Sequence, residues 1–124
     1  MRRYSYKRSD RLGSQLHREV SNVIHYDIND PRLQFVTVTE VRLSDDLKDA
    51  TVFISVMGDD KDEIFASLVH AGGFIRRRTG ERCYLKYVPL LNFKLDTSRE
   101  RAERIDSLLN KIRSEHNPDS PGGE

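Results

Sequence analysis

The chain has 124 residues, a length that favours a single domain with its own core and needs no disulfide or metal. Charged residues make up 33% of it, against about 25% in an average globular chain, which predicts a very polar surface. The single cysteine, Cys83, excludes an intrachain disulfide and fits a reducing compartment. The chain lacks an N-terminal apolar segment of the secretory type and an apolar run near the roughly 18 residues of a membrane span, so we expect a soluble, cytoplasmic protein.

Charge is unevenly distributed along the chain, although the net charge is only +1. Residues 1 to 11 and residues 74 to 87 each carry five basic side chains against one acidic side chain, whereas residues 40 to 63 carry eight acids against three bases. This separation indicates one side that faces a polyanion and another that repels it. Solvated surface charge explains the same pattern equally well.

The N-terminal part of the chain predicts a basic arm, a helix and a hairpin. Residues 1 to 8 are expected to form a flexible arm, and residues 9 to about 26 show apolar side chains at helical spacing. The helix should run to about Tyr26 and be ended by the segment DINDP, because Asp30 precedes Pro31 and a residue before proline is biased away from helical backbone angles. Residues 34 to 43 and 50 to 57 alternate and are rich in β-branched side chains, which predicts two antiparallel strands joined by the turn SDDLKD. The buried residues of the helix would be Leu12, Leu16, Val20, Val23 and Ile24.

A second helix is predicted after the hairpin, with its cap at Asp59 or Asp60. It is expected to stop at a glycine pair. A short helix should follow from about residue 74 to residue 79, and Gly80 should end it. The core-facing residues of the second helix would be Ile64, Phe65, Leu68 and Val69.

The C-terminal part predicts a strand, a helix and a tail. Residues 83 to 95 predict the third strand, in which Pro89 requires an edge position or a bulge because it cannot donate a ladder hydrogen bond. Thr97 and Glu100 fit a capping box at the start of the last helix. Residues 114 to 124 predict a disordered tail. The buried residues of the last helix would be Ala102, Ile105, Leu108, Leu109 and Ile112.

The order helix, strand, strand, helix, glycine turn, helix, strand, helix predicts an α+β fold. Its helices would pack on one face of a three-stranded sheet, and residues 9 to 113 would form this single domain.

The sequence does not place its potentially catalytic residues at the spacings of known catalytic or metal-binding motifs. The four histidines, His17, His25, His70 and His116, lack metal-ligand spacing. The nucleophile elbow, the phosphate-binding glycine loop and the dinucleotide fingerprint are missing. DDKDE resembles the start of a calcium loop but lacks its closing glutamate, and Cys83 is expected to be a small core residue in the third strand. The sequence therefore predicts no enzymatic activity, cofactor or metal.

The segment HAGGFIRRRTG, residues 70 to 80, combines two glycines with three arginines. Each glycine inside a helix costs about 1 kcal/mol relative to alanine, so the segment interrupts a helix. A glycine turn lets backbone N–H groups approach a phosphate chain, because no Cβ stands in the way. The second helix would then offer its positive dipole end, while Arg76 and Arg77 project away from the apolar side and Arg78 lies nearer to it. The alternative is a helical hairpin whose glycines serve only the turn.

The order of elements resembles that of a type II KH domain, in which a helix–loop–helix clamps about four nucleotides of single-stranded RNA. The sequence Ala71-Gly72-Gly73 stands in place of the GxxG loop of such domains. With the other motifs, this departure resembles ribosome-binding factor A of bacteria, from about Arg8 to Leu109. The motifs are Arg8, Arg11 and Leu12, DPRL (30 to 33), VTVTEVRLSDDL (36 to 47), ATVFISV (50 to 56), GFIR (73 to 76), Gly80, and Pro89, Leu91, Phe93 and Asp96. The chain departs from the family pattern at Thr79, Tyr84 and Leu90, where apolar, basic and acidic residues are usual.

The resemblance implies a type II KH-like domain with a mixed sheet and a function without catalysis. Members of that family bind the immature small ribosomal subunit near its neck, help its rRNA and the rRNA ends to mature, matter most in the cold, and leave before translation begins. This chain would then be a monomer whose partner is small-subunit rRNA. The residues expected to bind RNA are Arg8, Arg11, Arg18, Arg32, Ala71, Gly72, Gly73, Arg76, Arg77, Arg82 and Lys86.

Two alternatives stay open. Arg32 could pair with a carboxylate instead of RNA, while Asp30, Pro31 and Leu33 are expected to shape a turn. The whole chain could instead be a protein-interaction or regulatory module that binds through its sheet or through residues 59 to 63, without direct RNA contact.

Overall fold

The computed structural model describes residues 2 to 116, and their side chains from residue 8 to residue 115. Within that range the chain forms α-helices and β-strands in the predicted order. A short π-helix at Val23–Asp27 extends the first helix, and a 3-10 helix at Pro31–Phe35 leads into the first strand. Residues 117 to 124 of the predicted tail lie outside the described residues. The helices are α1 (Arg2–Asn22), α2 (Lys61–His70), α3 (Gly72–Cys83) and α4 (Ser98–His116), and the strands are β1 (Val36–Leu43), β2 (Asp49–Val56) and β3 (Leu90–Leu95).

The three strands form one mixed sheet in the order β1-β2-β3. β1 and β2 are antiparallel, with Val36 opposite Val56, and β2 and β3 are parallel, with Ile54 opposite Leu95. The side chains of Ser44 and Asp46 accept backbone N–H groups of Asp49 and Lys48 and close the hairpin turn. The predicted α+β fold with a mixed sheet is therefore confirmed, as is the hairpin turn.

The core lies between the first three helices and one face of the sheet. In β2 every second residue is buried, and the predicted inward face of α1 is buried from Leu16 onward. Burying a side chain of this size contributes about 1.5–3 kcal/mol before conformational entropy is counted. The largest fully buried side chains include Leu16, Val20, Val23, Ile24, Leu33, Val36, Val52, Ile54, Leu68 and Ile75.

Two histidines fasten the first helical segment to the edge strand β1. The His17 Nε2 atom lies 2.8 Å from the carbonyl oxygen of Val38, and the His25 Nε2 atom lies 2.6 Å from that of Val36. Because a carbonyl oxygen only accepts, Nε2 carries the proton in both rings. These bonds satisfy carbonyls that an edge strand would otherwise expose to another chain.

Several boundaries differ from the sequence prediction. α3 begins at Gly72 rather than near residue 74, so both glycines of the pair lie in its first turn and not in a turn between helices. α1 begins at Arg2 rather than near Ser9. α3 continues to Cys83, so Gly80 lies inside it and does not end it, and β3 begins only at Leu90. The prediction of a strand from residue 83 was therefore wrong for residues 83 to 89, although Cys83 is buried as expected. A Cβ atom on Gly80 would clash with Cγ2 of Val88, so this glycine lets the following loop pack on the helix.

The last helix is the largest departure from the prediction. All residues of α4 from 101 to 115 are exposed. Its first turn is fastened to the body, where the Asp96 carboxylate accepts the Ser98 N–H at 2.9 Å and Lys61 pairs with Glu100 at 3.3 Å. Asp96 and Lys61 thus replace the predicted Thr97–Glu100 capping box. The predicted burial was wrong for Ala102, Ile105, Leu108, Leu109 and Ile112, and in α2 also for Val69.

The Gly80 contact predicts opposite effects for two glycine-to-alanine substitutions in one helix. Gly80→Ala should lower the free energy of unfolding by about 1–3 kcal/mol, because Val88 has to move away. Gly73→Ala should raise it by up to about 1 kcal/mol, because its Cβ would meet no atom within 4 Å and alanine favours the helix. Urea unfolding of both variants tests this, and equal effects would contradict it.

Candidate nucleic-acid interface

The interruption between α2 and α3 is a single residue long. Ala71 has φ −83° and ψ 4°, and its N–H donates to the carbonyls of Ser67 and Leu68 at 3.1 Å. A Cβ on Gly72 would lie 3.8 Å from the Phe93 ring, whereas a Cβ on Gly73 would meet no atom within 4 Å. Gly73 therefore leaves the backbone at the start of α3 open to a ligand.

A groove runs beside Gly73 along α3, and we call it the α3 groove. Its volume is about 380 Å³ and it is open to solvent. It is lined by Gly73, Arg76, Arg77, Lys86, Tyr87 and Val88. Four of the residues predicted to bind RNA thus lie together, although they come from two separate segments of the chain.

Arg76 builds one wall of the α3 groove. Its Nε donates to the carbonyl oxygen of Pro89 at 3.1 Å, and its Nη2 donates to that of Val88 at 2.7 Å. These bonds hold the loop from residue 84 to residue 89 against the helix. Arg76 therefore has a structural role within the fold, besides any contact with RNA.

Arg77 and Lys86 carry their charge toward solvent. The Arg77 guanidinium lies 5.8 Å from the centre of the Phe74 ring, and the Lys86 ammonium lies 5.5 Å from that of the Tyr87 ring. Within the part of the chain whose side chains are described, neither cation has a carboxylate at ion-pair distance. Both are thus available to an anionic ligand.

Arg82 has a different environment from the other predicted RNA contacts. Its Nε and Nη2 donate to the Asp27 carboxylate at 2.9 Å, and Arg78 donates to the same group at 2.9 Å. Glu19 lies 3.7 Å from Arg82. The hydrogen bond from Arg82, with that from Arg78, holds the pKa of Asp27 below its ordinary value. We call these four residues the Asp27 cluster; it joins α3 to the end of the first helix.

The remaining predicted contacts lie elsewhere. Arg11 and Arg18 line a separate shallow depression on α1, and Arg18 lies 3.7 Å from Glu19. Arg8 precedes them on the same helix. Arg32 donates to both carboxylate oxygens of Asp30 and to Ser67, so the carboxylate pairing that the sequence left open is present.

The turn chemistry predicted for DPRL is also present. Asp30 accepts the N–H of Arg32 at 3.0 Å and begins the 3-10 helix at Pro31, and Leu33 is buried.

Sequence reasoning missed the aromatic part of this surface. Tyr84 and Tyr87 are 95% and 81% exposed and flank Lys86, and Phe74 lies beside Arg77. Assigning residues 83 to 95 to a strand concealed this loop. The alternation of tyrosine and lysine in YLKY was the available signal, since basic residues interleaved with aromatic ones are typical of single-strand binding.

Between residues 2 and 116, no helix is both long enough and apolar enough to cross a membrane. The described side chains also contain no group of three or more histidine, cysteine, aspartate or glutamate residues placed to hold a metal ion.

A helix–turn–helix between two parallel strands, with a preceding helix and antiparallel strand, defines the chain as a type II KH-like domain. The family model for ribosome-binding factor A matches residues 8 to 109. The chain belongs to the ribosome-binding factor A family.

Individual relatives agree with this assignment. The chain is 41% identical to the ribosome-binding factor A of Halothermothrix orenii over 119 residues, which cover 94% of this chain and 98% of the relative. It is similar to the crystal structure of ribosome-binding factor A from Thermus thermophilus, with a TM-score of 0.64, 26% identity, and coverage of 70% and 94% of the two chains. A homology model of the Thermus thermophilus factor, fitted into a cryo-electron-microscopy map of a 30S complex, has a TM-score of 0.59, 26% identity, and coverage of 68% and 91%.

The Asp27 cluster predicts a pH-dependent loss of stability. In Asp27→Asn the two guanidinium groups lose their carboxylate, so the urea midpoint near neutral pH should fall. Because the folded pKa of Asp27 is lowered, its contribution is fully present above about pH 4 and is lost as the pH falls below that value. The difference in urea midpoint between the wild type and Asp27→Asn should therefore become smaller as the pH falls below about 4. Asp106→Asn on α4 is the control and should change little; a loss of urea midpoint in Asp27→Asn that grows as the pH falls below about 4 would contradict the assignment.

Proposed function

We propose that this protein is a non-enzymatic assembly factor that binds the immature small ribosomal subunit through its rRNA. It acts in the cytoplasm as a monomer, promotes late maturation and rRNA processing, and matters most in the cold. Membership of the ribosome-binding factor A family supports this, as does the likeness to a factor fitted into a 30S complex. The observation that carries the proposal is the α3 groove, where an uncovered backbone adjoins two cations without carboxylate partners among the described side chains.

The α3 groove suits a sugar–phosphate backbone. At Gly73 no Cβ keeps a phosphate from the first N–H groups of α3, where the helix dipole is positive. Arg77 and Lys86 add charge from the helix and from the loop. Phosphate contacts of this kind supply affinity with little sequence selectivity. The position on the rRNA would then depend on shape as well as on these contacts.

The acidic segment orients the protein on its ligand. Asp59, Asp60, Asp62 and Glu63 are exposed at the start of α2, whereas Ala71 and the glycines of α3 follow its end at His70. The ten residues of α2 separate the two by about 15 Å along the helix axis. A polyanion is therefore attracted at one end of α2 and repelled at the other.

Binding to the small subunit should depend on salt through Arg77 and Lys86. The double variant Arg77→Ala, Lys86→Ala should bind more weakly in cosedimentation, with an unchanged melting temperature. Its slope of log affinity against log salt should fall by about 1.4, because single-strand binding loses roughly 0.7 per phosphate contact.

A charge-matched control separates the groove from net charge. Arg104→Ala, Lys111→Ala removes two exposed cations from α4 and should leave the affinity and the slope close to wild type. Equal losses in both double variants would show that only net charge matters, and no loss in either would remove the α3 groove from the binding surface.

One observation favours the alternative of a protein-interaction module. The apolar side of α4 is exposed, with exposed fractions of 57% for Ile105 and 49% for Leu109. Protein interaction would be favoured over RNA binding if cosedimentation with the small subunit does not change with salt or in Arg77→Ala, Lys86→Ala, but is lost in the double variant Ile105→Ser, Leu109→Ser.

A further inference from the structure

We propose that Tyr84 and Tyr87 form a stacking platform for unpaired bases of single-stranded RNA. Tyr87 lines the α3 groove, and Tyr84 directly follows the C-terminal end of α3. This inference rests on the proposed RNA-binding function and adds a second kind of contact to it. Backbone docking at Gly73 needs only phosphates, whereas the platform needs bases that are free to leave a stack.

Tyr84 occupies a backbone position that tyrosine disfavours. It lies just after α3 with φ 55° and ψ 40°, in the left-handed region. Its N–H donates to Glu81 at 3.3 Å, and the next N–H, that of Leu85, donates to Gly80 at 3.0 Å. These are the bonds of a helix terminus at which glycine is the usual residue, because a Cβ is strained there.

The side chain of Tyr84 does not offset this backbone strain by packing against the rest of the fold. It is 95% exposed, and Tyr87 is 81% exposed. Packing of the described core therefore does not explain either ring. Strained residues and exposed large apolar groups concentrate at binding surfaces, and here both features meet in one residue.

The loop beneath the rings is firmly held. Leu85 packs against the buried cluster that contains Leu16 and Cys83, and Pro89 is buried. Arg76 binds the two carbonyls described above, and the Leu90 N–H donates to the carbonyl of Lys48 at 2.8 Å. The rings are thus presented by a loop fixed at both ends, so little ordering is required when a ligand binds.

The charge around the rings selects the ligand. Lys86 lies between the two tyrosines, and Arg77 lines the same groove as Tyr87. The nearby acid Glu81 is engaged by Arg78 at 3.3 Å. Stacking faces beside two such cations match single-stranded RNA, whose bases can be splayed onto aromatic rings while its phosphates meet the positive charges. A duplex keeps its bases stacked and cannot use such a platform.

The distance along α3 fits a short strand. Tyr84 follows Gly73 by eleven positions, which corresponds to about 16 Å at the rise of an α-helix. A strand clamped at Gly73 and directed along the α3 groove would pass Tyr87 and reach Tyr84. The contact with RNA would then extend from the first turn of α3 to the far end of that helix.

Tyr84→Gly distinguishes a binding role from a structural one. The variant should melt at a higher temperature than wild type, because glycine relieves the left-handed strain. It should nevertheless bind a labelled single-stranded RNA of about eight nucleotides about 5- to 150-fold more weakly in fluorescence anisotropy, as expected for the loss of one stacked base. Tyr84→Phe and Tyr87→Phe keep the ring and should retain wild-type affinity.

The RNA probes separate bases from phosphates. An RNA of the same length with abasic sites should bind wild type as weakly as the intact RNA binds Tyr84→Gly, Tyr87→Ala. The tyrosine variants should keep the wild-type salt slope, unlike the variant lacking Arg77 and Lys86.

Each contrary result has a distinct meaning. If the tyrosine variants bind like wild type while loss of Arg77 and Lys86 weakens binding, the platform is refuted and backbone binding stands. If the tyrosines matter for the small subunit but intact and abasic RNA bind wild type equally, the rings contact a protein and the platform is also refuted. If wild type binds neither RNA nor the small subunit, the proposed function fails with it.

Discussion

The close packing of the loop that follows α3 against that helix positions every part of the proposed interface. Without a Cβ at Gly80, Val88 can lie against the helix, and Arg76 then holds the carbonyls that follow. The chain therefore turns back along α3, and β3 begins at Leu90, parallel to β2. The same packing creates the α3 groove and presents the tyrosines. Loss of this one contact would affect the sheet and the binding surface together.

Basic residues that are close in sequence have different physical roles in this fold. Arg78 and Arg82 contact the Asp27 carboxylate and join two helices, and Arg76 serves backbone carbonyls. Arg77 carries its charge to solvent beside an aromatic ring. A guanidinium bonded to a carboxylate contributes little to the field that attracts a polyanion. The positive charge that the α3 groove presents to solvent is therefore smaller than the three consecutive arginines suggest. The location of this charge is determined by α3 and by the loop that follows it.

Two groups of exposed apolar side chains, on α4 and on the loop after α3, have different surroundings. The apolar side of α4 extends from the body, and none of the described residues covers it. Tyr84 and Tyr87 instead lie on a loop that the core and a groove arginine hold in place, next to two cations that no described carboxylate neutralises. Chemical surroundings, more than exposed area alone, therefore distinguish the two and connect the tyrosines with a nucleic-acid ligand.

The order of elements, the hairpin and its turn, the buried face of α1, and the family were all predictable from the residues alone. Periodicity and turn chemistry depend on side chains a few positions apart, and the break between α2 and α3 could be located in the same way, although its glycines turned out to be helical. The folded chain was needed to show that Gly80 stays helical, that Arg82 meets Asp27, 55 positions away, and that α4 leaves its apolar side uncovered. Each of these features depends on tertiary contacts with residues that are distant in the sequence. Helical periodicity shows that one face of a helix is apolar, but it does not show which part of the chain packs against that face.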